Sequence, residues 1–105
     1  MRAPFRVTPQ AAEDLDSIWW FIAAGNRAAA DSVEMEIVAT CSRLAVHPMA
    51  GTKRPDVTPL SVRFGTVSKF PNYVVVYRER SAPIEVGAIP DGKRDLKKAL
   101  EQRSL

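Results

Sequence analysis

Residues 72–80 read NYVVVYRER and have the strongest β-strand character in the chain. Two further runs of strand character flank this stretch, SVRFGTV at 61–67 and APIEVGAI at 82–89. The last of the three follows across a short turn around Arg80 and Ser81. Strands that follow one another with short connections predict a small, mainly antiparallel sheet.

Alternation along the middle strand assigns its side chains to the two faces of this sheet. One face takes Val74, Val76 and Arg78, and the other takes Tyr73, Val75 and Tyr77. Helices elsewhere in the chain can cover only one of these faces well. We therefore expect the second face to be solvated or covered by something other than these helices, for which a partner protein is one candidate.

Two amphipathic helices precede the sheet. Thr8-Pro9 predicts a helix start, because a threonine oxygen caps free amides and proline fits the first helical position. Apolar residues then recur at helical spacing until Gly25, and Asn26 is expected to cap a second helix that ends at His47-Pro48. Residues 48–60 hold three prolines and a glycine and predict a connecting loop.

The ends of the chain complete the predicted order of elements. Residues 3–7 indicate a short strand, and the basic tail indicates a short helix after the turn at Gly92. The fold class is α+β: an N-terminal strand, a helical hairpin packed on a small mainly antiparallel sheet, and a short C-terminal helix in one domain, 1–105. Of the adjacent tryptophans we expect Trp19 in the core and Trp20 exposed.

Composition narrows the class of protein. The 105 residues include one cysteine and one histidine, which excludes an intramolecular disulfide and disfavours a metal site, and no cofactor is expected. Cys41 lies on a helical apolar stripe and His47 at a helix end, so neither is predicted to be catalytic. No apolar run approaches a bilayer span and the start does not read as a signal peptide, so we expect a cytoplasmic protein without membrane contact.

Several blocks, in order, resemble one known family. They are Thr8-Pro9-x-Ala11 with Asp14-Leu15-x-x-Ile18, then Leu44-x-x-His47-Pro48-x-x-Gly51, then Val62-Arg63, Tyr73 to Arg78, and Gly92-Lys93-Arg94-Asp95-Leu96. Together they are similar to the ParE branch of the ParE/RelE toxin superfamily. One departure is Asp91, where relatives often carry a histidine. The resemblance implies the toxin of a type II toxin–antitoxin pair, with a cognate antitoxin and DNA gyrase as partners and nucleic acid contacted only through the target.

RelE-type relatives instead cut messenger RNA on the ribosome, and the resemblance allows their catalytic positions to be compared. Two lysines, an arginine and a tyrosine of that set correspond here to Pro59, Ser61, Val74 and Leu100, and only Arg94 matches. None of these four residues supplies the positive charge or the proton transfer that cleavage at a phosphate requires. The nuclease stays as an alternative that would use Arg94 with Lys69, Tyr73 and Arg78; an inactive interaction module is the third reading.

Basic residues are the candidates for binding. Target contact is predicted for Arg63, Arg94, Lys93 and Lys97, since guanidinium groups suit carboxylates and phosphates. Arg63 and Arg94 have an alternative as sheet-edge residues that pair with Asp91 or Asp95. Antitoxin contact is predicted for Trp20, Arg78 and Arg80, the two arginines having an alternative role as guards against edge-to-edge aggregation.

Overall fold

The structure is a computed structural model that describes residues 5–91, 96–101, 103 and 105. The elements follow the predicted order, and they are β1 (Phe5–Val7), α1 (Pro9–Ala23), α2 (Arg27–Val46), β2 (Arg63–Thr66), β3 (Val74–Arg78), β4 (Ile84–Ala88) and α3 (Leu96–Glu101). The α+β class is therefore confirmed. Residues 3 and 4 of the predicted first strand lie outside the described residues.

The four strands form one sheet in the order β1-β4-β3-β2. β1 runs parallel to β4, and the other two pairs are antiparallel, which confirms a mainly antiparallel sheet. The register shifts at Val76 and Tyr77, which oppose Ala88 and Val86. Gly87 is thus an extra residue on β4, a β-bulge that turns both Gly87 and Ala88 toward the same face.

Both predicted helix caps are present. The Thr8 hydroxyl accepts a hydrogen bond from the backbone N–H of Ala11 at 3.1 Å, with Pro9 in the first helical turn. Asn26 Oδ1 accepts in the same way from the N–H of Ala29 at 3.0 Å. Each cap satisfies one of the free amides at a helix start, so the hairpin turns where the sequence predicts.

The inner face of the sheet, defined here as the face that packs against α1 and α2, holds the larger core. Val75 and Tyr77 lie on this face, as predicted, with Val86 beside them. The helical hairpin supplies the rest of this core, which includes Ala11, Val33, Ile37, Cys41 and Leu44.

Part of the outer face is covered by other segments of the chain, which agrees with the expectation that something other than the hairpin covers it. Val62, Phe64, Val76, Ala88 and Leu100 form a second buried cluster there. Side chains from the 57–60 loop and from the end of the chain pack on it, namely Val57, Leu60, Leu96 and Leu105. A six-residue helix is not stable alone, so the burial of Leu100 is what holds α3 in place.

Trp19 is only half-buried, so its placement in the core was wrong. The residue lies beyond the hydrophobic cluster, near the tip of the hairpin, where its Nε1 donates to Asp31 at 2.8 Å. The Arg27 guanidinium lies 5.7 Å from the ring centroid, a cation–π distance. Trp20 is 62% exposed, as predicted, and its ring meets Trp19 edge-on at 5.1 Å.

Candidate functional site

The three described residues of the alternative nuclease set do not come together. Lys69 lies in the turn after β2 with a φ of 70°, and its Nζ is 3.4 Å from Glu36. Tyr73 precedes β3 and packs against the inner core. Arg78 ends β3 on the outer face, five residues and roughly 16 Å further along the strand. A single phosphate cannot contact all three side chains.

Arg63 is engaged within the protein. Its side chain is 13% exposed, and its Nε lies 2.8 Å from a carboxylate oxygen of Glu79. The N–H does not point at that oxygen, so the contact is an ion pair and not a hydrogen bond. Its Nη1 donates to the carbonyl oxygens of Gly51 at 2.7 Å and Met49 at 3.3 Å. Among the described residues its ion-pair partner is Glu79 and not Asp91, and Asp95 lies outside the described residues. The Arg63 guanidinium beside it lowers the pKa of the Glu79 carboxyl, and Lys53 at 3.7 Å adds to this effect.

Tyr77 also contacts the loop after α2, which contains Met49 and Gly51. Its buried hydroxyl donates to the carbonyl of Pro48 at 2.7 Å and accepts from the N–H of Gly51 at 2.9 Å. Burial raises the pKa of this hydroxyl, so it stays protonated and able to donate. A Cβ on Gly51 would lie 2.5 Å from the tyrosine oxygen, so only glycine fits there. Arg63 and Tyr77 together fix the loop that follows α2.

The tail is tied to the rest of the protein by a contact that the sequence did not reveal. Arg103 forms an ion pair with Asp14 of α1 and donates to the carbonyl of Gly87 at 3.1 Å. The other Asp14 oxygen accepts from the N–H of Ile89 at 2.9 Å. The bulge at Gly87 leaves its carbonyl outside the ladder, and the absence of a side chain admits Leu105. No local pattern predicts the contacts of Asp14, because its partners are distant along the chain.

The predicted target residues of the tail are only partly described. Lys93 and Arg94 lie outside the described residues. Lys97 is exposed on α3. The structure therefore places one of these three side chains on the surface and does not bear on the other two.

The predicted antitoxin residues form two separate surfaces. Phe21, which is 81% exposed and next to Trp20, lines a groove with Tyr73 and Pro90, at the start of β3. Arg78 and Arg80 lie at the other end of β3, where they line a shallow depression of about 340 Å³. β3 is an interior strand of the sheet, so a role for these arginines in guarding a sheet edge was wrong.

Cys41 has no features of a nucleophile. It is buried in the inner core, and burial raises the pKa of its thiol to about 12. His47 is exposed at the end of α2. Within the described part of the chain, no group of three metal-binding side chains is present. No described helix is long and apolar enough to cross a membrane.

Comparison with known proteins identifies the family. Residues 5–96 match the family described as "ParE toxin of type II toxin-antitoxin system, parDE". The chain belongs to the ParE toxin family. Its arrangement of strand, helical hairpin, mixed sheet and short helix fits the ParE fold.

A solved structure supports the same fold for this ParE-family toxin. It is titled "Chromosomal ParDE TA system from P. aeruginosa" and superposes with a TM-score of 0.68 at 24% sequence identity. The match covers 83% of this chain and 92% of that chain. No curated protein sequence matches the toxin.

Two of the residues that stand at the RelE-type catalytic positions lie on the outer face of the toxin. Val74 packs against the second cluster, and Leu100 is 2% exposed within it. Pro59 and Ser61 are exposed. Two positions that hold polar catalytic groups in RelE-type relatives are thus packing residues in this ParE-family toxin.

Proposed function

We propose that this ParE-family toxin inhibits DNA gyrase by binding it and that a cognate antitoxin neutralises the toxin. The observation that carries the proposal is the packing of Val74 and Leu100 against the second cluster. A phosphodiester-cleaving site needs positioned charge and proton-transfer groups, which valine and leucine do not provide. Family membership supplies the toxin role, and a gyrase target implies a cytoplasmic location.

The separation of Lys69, Tyr73 and Arg78 also supports binding over RNA cleavage. These residues lie at both ends and on both faces of β3, as described above. A relocated nuclease site would have to form without this set. The ribosome-dependent nuclease is therefore the second candidate, and it is tested in the same experiment as the first.

The target contact is proposed for the basic tail, with Lys97 exposed on α3 and Lys93 and Arg94 nearby in sequence. We assign Arg63 a different role, because its guanidinium is already bound to Glu79, Gly51 and Met49. Its loss is expected to free the loop after α2 and to weaken the toxin through stability. Lys97→Gln should instead reduce toxicity without a change in the unfolding midpoint.

The antitoxin is proposed to cover Trp20, the exposed indole on α1. Aromatic side chains that are exposed in the free protein commonly anchor interfaces. Trp20→Ala is expected to leave growth arrest intact and to abolish rescue by the antitoxin. Met35→Ala, also at an exposed apolar residue but on α2, is the matched control.

The deciding experiment is induction of the toxin alone, with DNA and protein synthesis followed separately by pulse labelling. The proposal predicts that DNA synthesis fails first and that double-strand breaks accumulate. Early arrest of protein synthesis with site-specific messenger RNA cleavage would replace it by the nuclease. Unchanged growth would support the inactive interaction module.

A further inference from the structure

The arginines of the toxin fall into two groups by their contacts. Most of those described are held by other groups: Arg27 over Trp19, Arg43 by Thr40, Arg54 by Asp56, Arg63 by Glu79 and Arg103 by Asp14. Over the described ranges 5–91 and 96–101, the side chains of Arg6, Arg78 and Arg80 form no hydrogen bond or ion pair.

Strand register places two of them on the same face. Arg6 of β1 and Arg78 of β3 both pair in register with Glu85 of β4. Residues paired across strands point to the same face of a sheet, and Tyr77 and Ile84 occupy the inner face. Arg6, Glu85 and Arg78 therefore form a row on the outer face. The Cα atoms of the two arginines are roughly 10 Å apart, since neighbouring strands lie about 4.8 Å apart.

Arg80 joins the row through the depression at the end of β3. The depression is lined by Arg78, Arg80, Ser61, Ser81, Val62 and Leu105. Guanidinium and hydroxyl donors thus line the depression together with the apolar side chains of Val62 and Leu105. Such a combination suits a carboxylate side chain with an apolar neighbour.

We propose that this surface binds an acidic peptide segment, with its carboxylates on Arg78 and Arg80 and on Arg6. An extended segment places alternate side chains roughly 7 Å apart on one side, so acidic residues two positions apart reach both groups. The inference rests on the proposed function in one respect, namely that the segment belongs to the antitoxin. It adds Arg6 and the depression as the place where that segment lies.

Nucleic acid is the less suitable occupant. Proteins that bind DNA through its backbone neutralise many phosphates along a track, whereas this surface has three arginines interrupted by Glu85. Two exposed aromatic residues on which bases could stack, Trp20 and Phe21, do not line the depression, and Phe21 lines the groove at the opposite end of β3. Peptide carboxylates can avoid Glu85, and a continuous phosphate chain cannot.

The test uses the full chain and three labelled probes in fluorescence anisotropy. They are a synthetic peptide alternating glutamate and leucine, the same peptide with glutamine for glutamate, and a DNA oligonucleotide of similar length. The glutamate peptide should bind in a salt-dependent manner, and R78Q/R80Q should weaken it about tenfold, the equivalent of about 1.4 kcal/mol. R6Q should weaken it less, and R54Q, which alters an exposed arginine paired with Asp56, should not.

Equal binding of the glutamate and glutamine peptides, or equal binding by R78Q/R80Q and the parent protein, overturns the proposal. Tighter binding of the oligonucleotide with the same arginine dependence also overturns it, in favour of nucleic acid. Growth arrest by R6Q/R78Q/R80Q separates this inference from the proposed function. The triple variant should arrest growth as the parent does; if it folds normally but loses toxicity, the arginines contact the target and the proposal is wrong. If the parent toxin itself fails to arrest growth, the proposed function fails and the peptide titration still decides the surface.

Discussion

The inner face of the sheet is covered by two helices of 15 and 20 residues, whereas the outer face is covered by a loop and a helix of six residues. Both faces carry a buried cluster, yet the elements that cover the two clusters differ in how firmly they are held. The hairpin has caps and helical periodicity of its own. α3 depends on Leu96 and Leu100 and on the contact of Arg103 with Asp14. The inner face should therefore respond as a rigid core and the outer face as a cover that can shift.

Ile37→Ala is expected to have the largest effect. Ile37 is fully buried between the hairpin and the sheet, where long helices cannot close the cavity that is left. The free energy of unfolding should fall by about 4 kcal/mol in urea denaturation. Met35→Ala, on the exposed side of the same helix, should change it by less than about 0.5 kcal/mol. Equal losses would mean that α2 is not packed as described.

Leu100→Ala removes a buried side chain from the outer face. Its effect on the free energy of unfolding should be smaller than that of Ile37→Ala. The side chain is 2% exposed, but its short helix can move to fill the space, so we expect about 2 kcal/mol. Hydrogen exchange should rise in α3 before it rises in the hairpin. Lys97→Ala is the control on the exposed side of α3. A loss as large as that of Ile37→Ala would remove the distinction between the two faces.

The hairpin and the strands are predictable from the sequence because their signals are local. Thr8 and Asn26 cap their helices within three residues, and alternation along β3 assigns Val75 and Val76 to opposite faces. The second cluster was missed because α3 reads only as a basic tail until Leu100 is seen to meet Phe64 and Val76. Asp14 and Arg103 are 89 residues apart, so no window along the chain contains their pairing.

The candidate site was predictable only in part, for the same reason. Charge and aromatic character single out Trp20 and Arg78, and both are at the surface in the structure. Arg63 is the same residue type as Arg78 and also lies in a run of strand character, yet Glu79 and two loop carbonyls bind it. Whether an arginine is available for a partner depends on strand register and loop position, which residue type does not encode.

Tyr77→Phe tests how the inner face holds the loop after α2. The change keeps the ring in the core and removes the hydrogen bonds to Gly51 and Pro48. A buried N–H on Gly51 is then left without a partner, and we expect a loss of roughly 1 to 2 kcal/mol. Tyr73→Phe is the matched control, because the Tyr73 hydroxyl forms no hydrogen bond within the described residues. An equal effect of the two changes would contradict the role given to Tyr77.

Glu79→Gln should have the smallest effect and should depend on pH. Because Arg63 lowers the pKa of Glu79 in the folded state, its ionised form stabilises the protein above the ordinary glutamate pKa. That contribution is lost as the pH falls through the lowered value. Near neutral pH the Glu79→Gln variant should be less stable than the parent protein, and this difference in stability should vanish in acid. Parallel stability curves over this range would show that the pair contributes nothing.

The central claim, that the toxin acts by binding gyrase, is tested most directly with purified components. Gyrase and relaxed plasmid would be incubated with the toxin, and translating ribosomes with a defined messenger RNA would be incubated with the same preparation. We predict that supercoiling is inhibited, that cleaved DNA complexes accumulate, and that the messenger RNA stays intact. Normal supercoiling together with cut messenger RNA would contradict the claim.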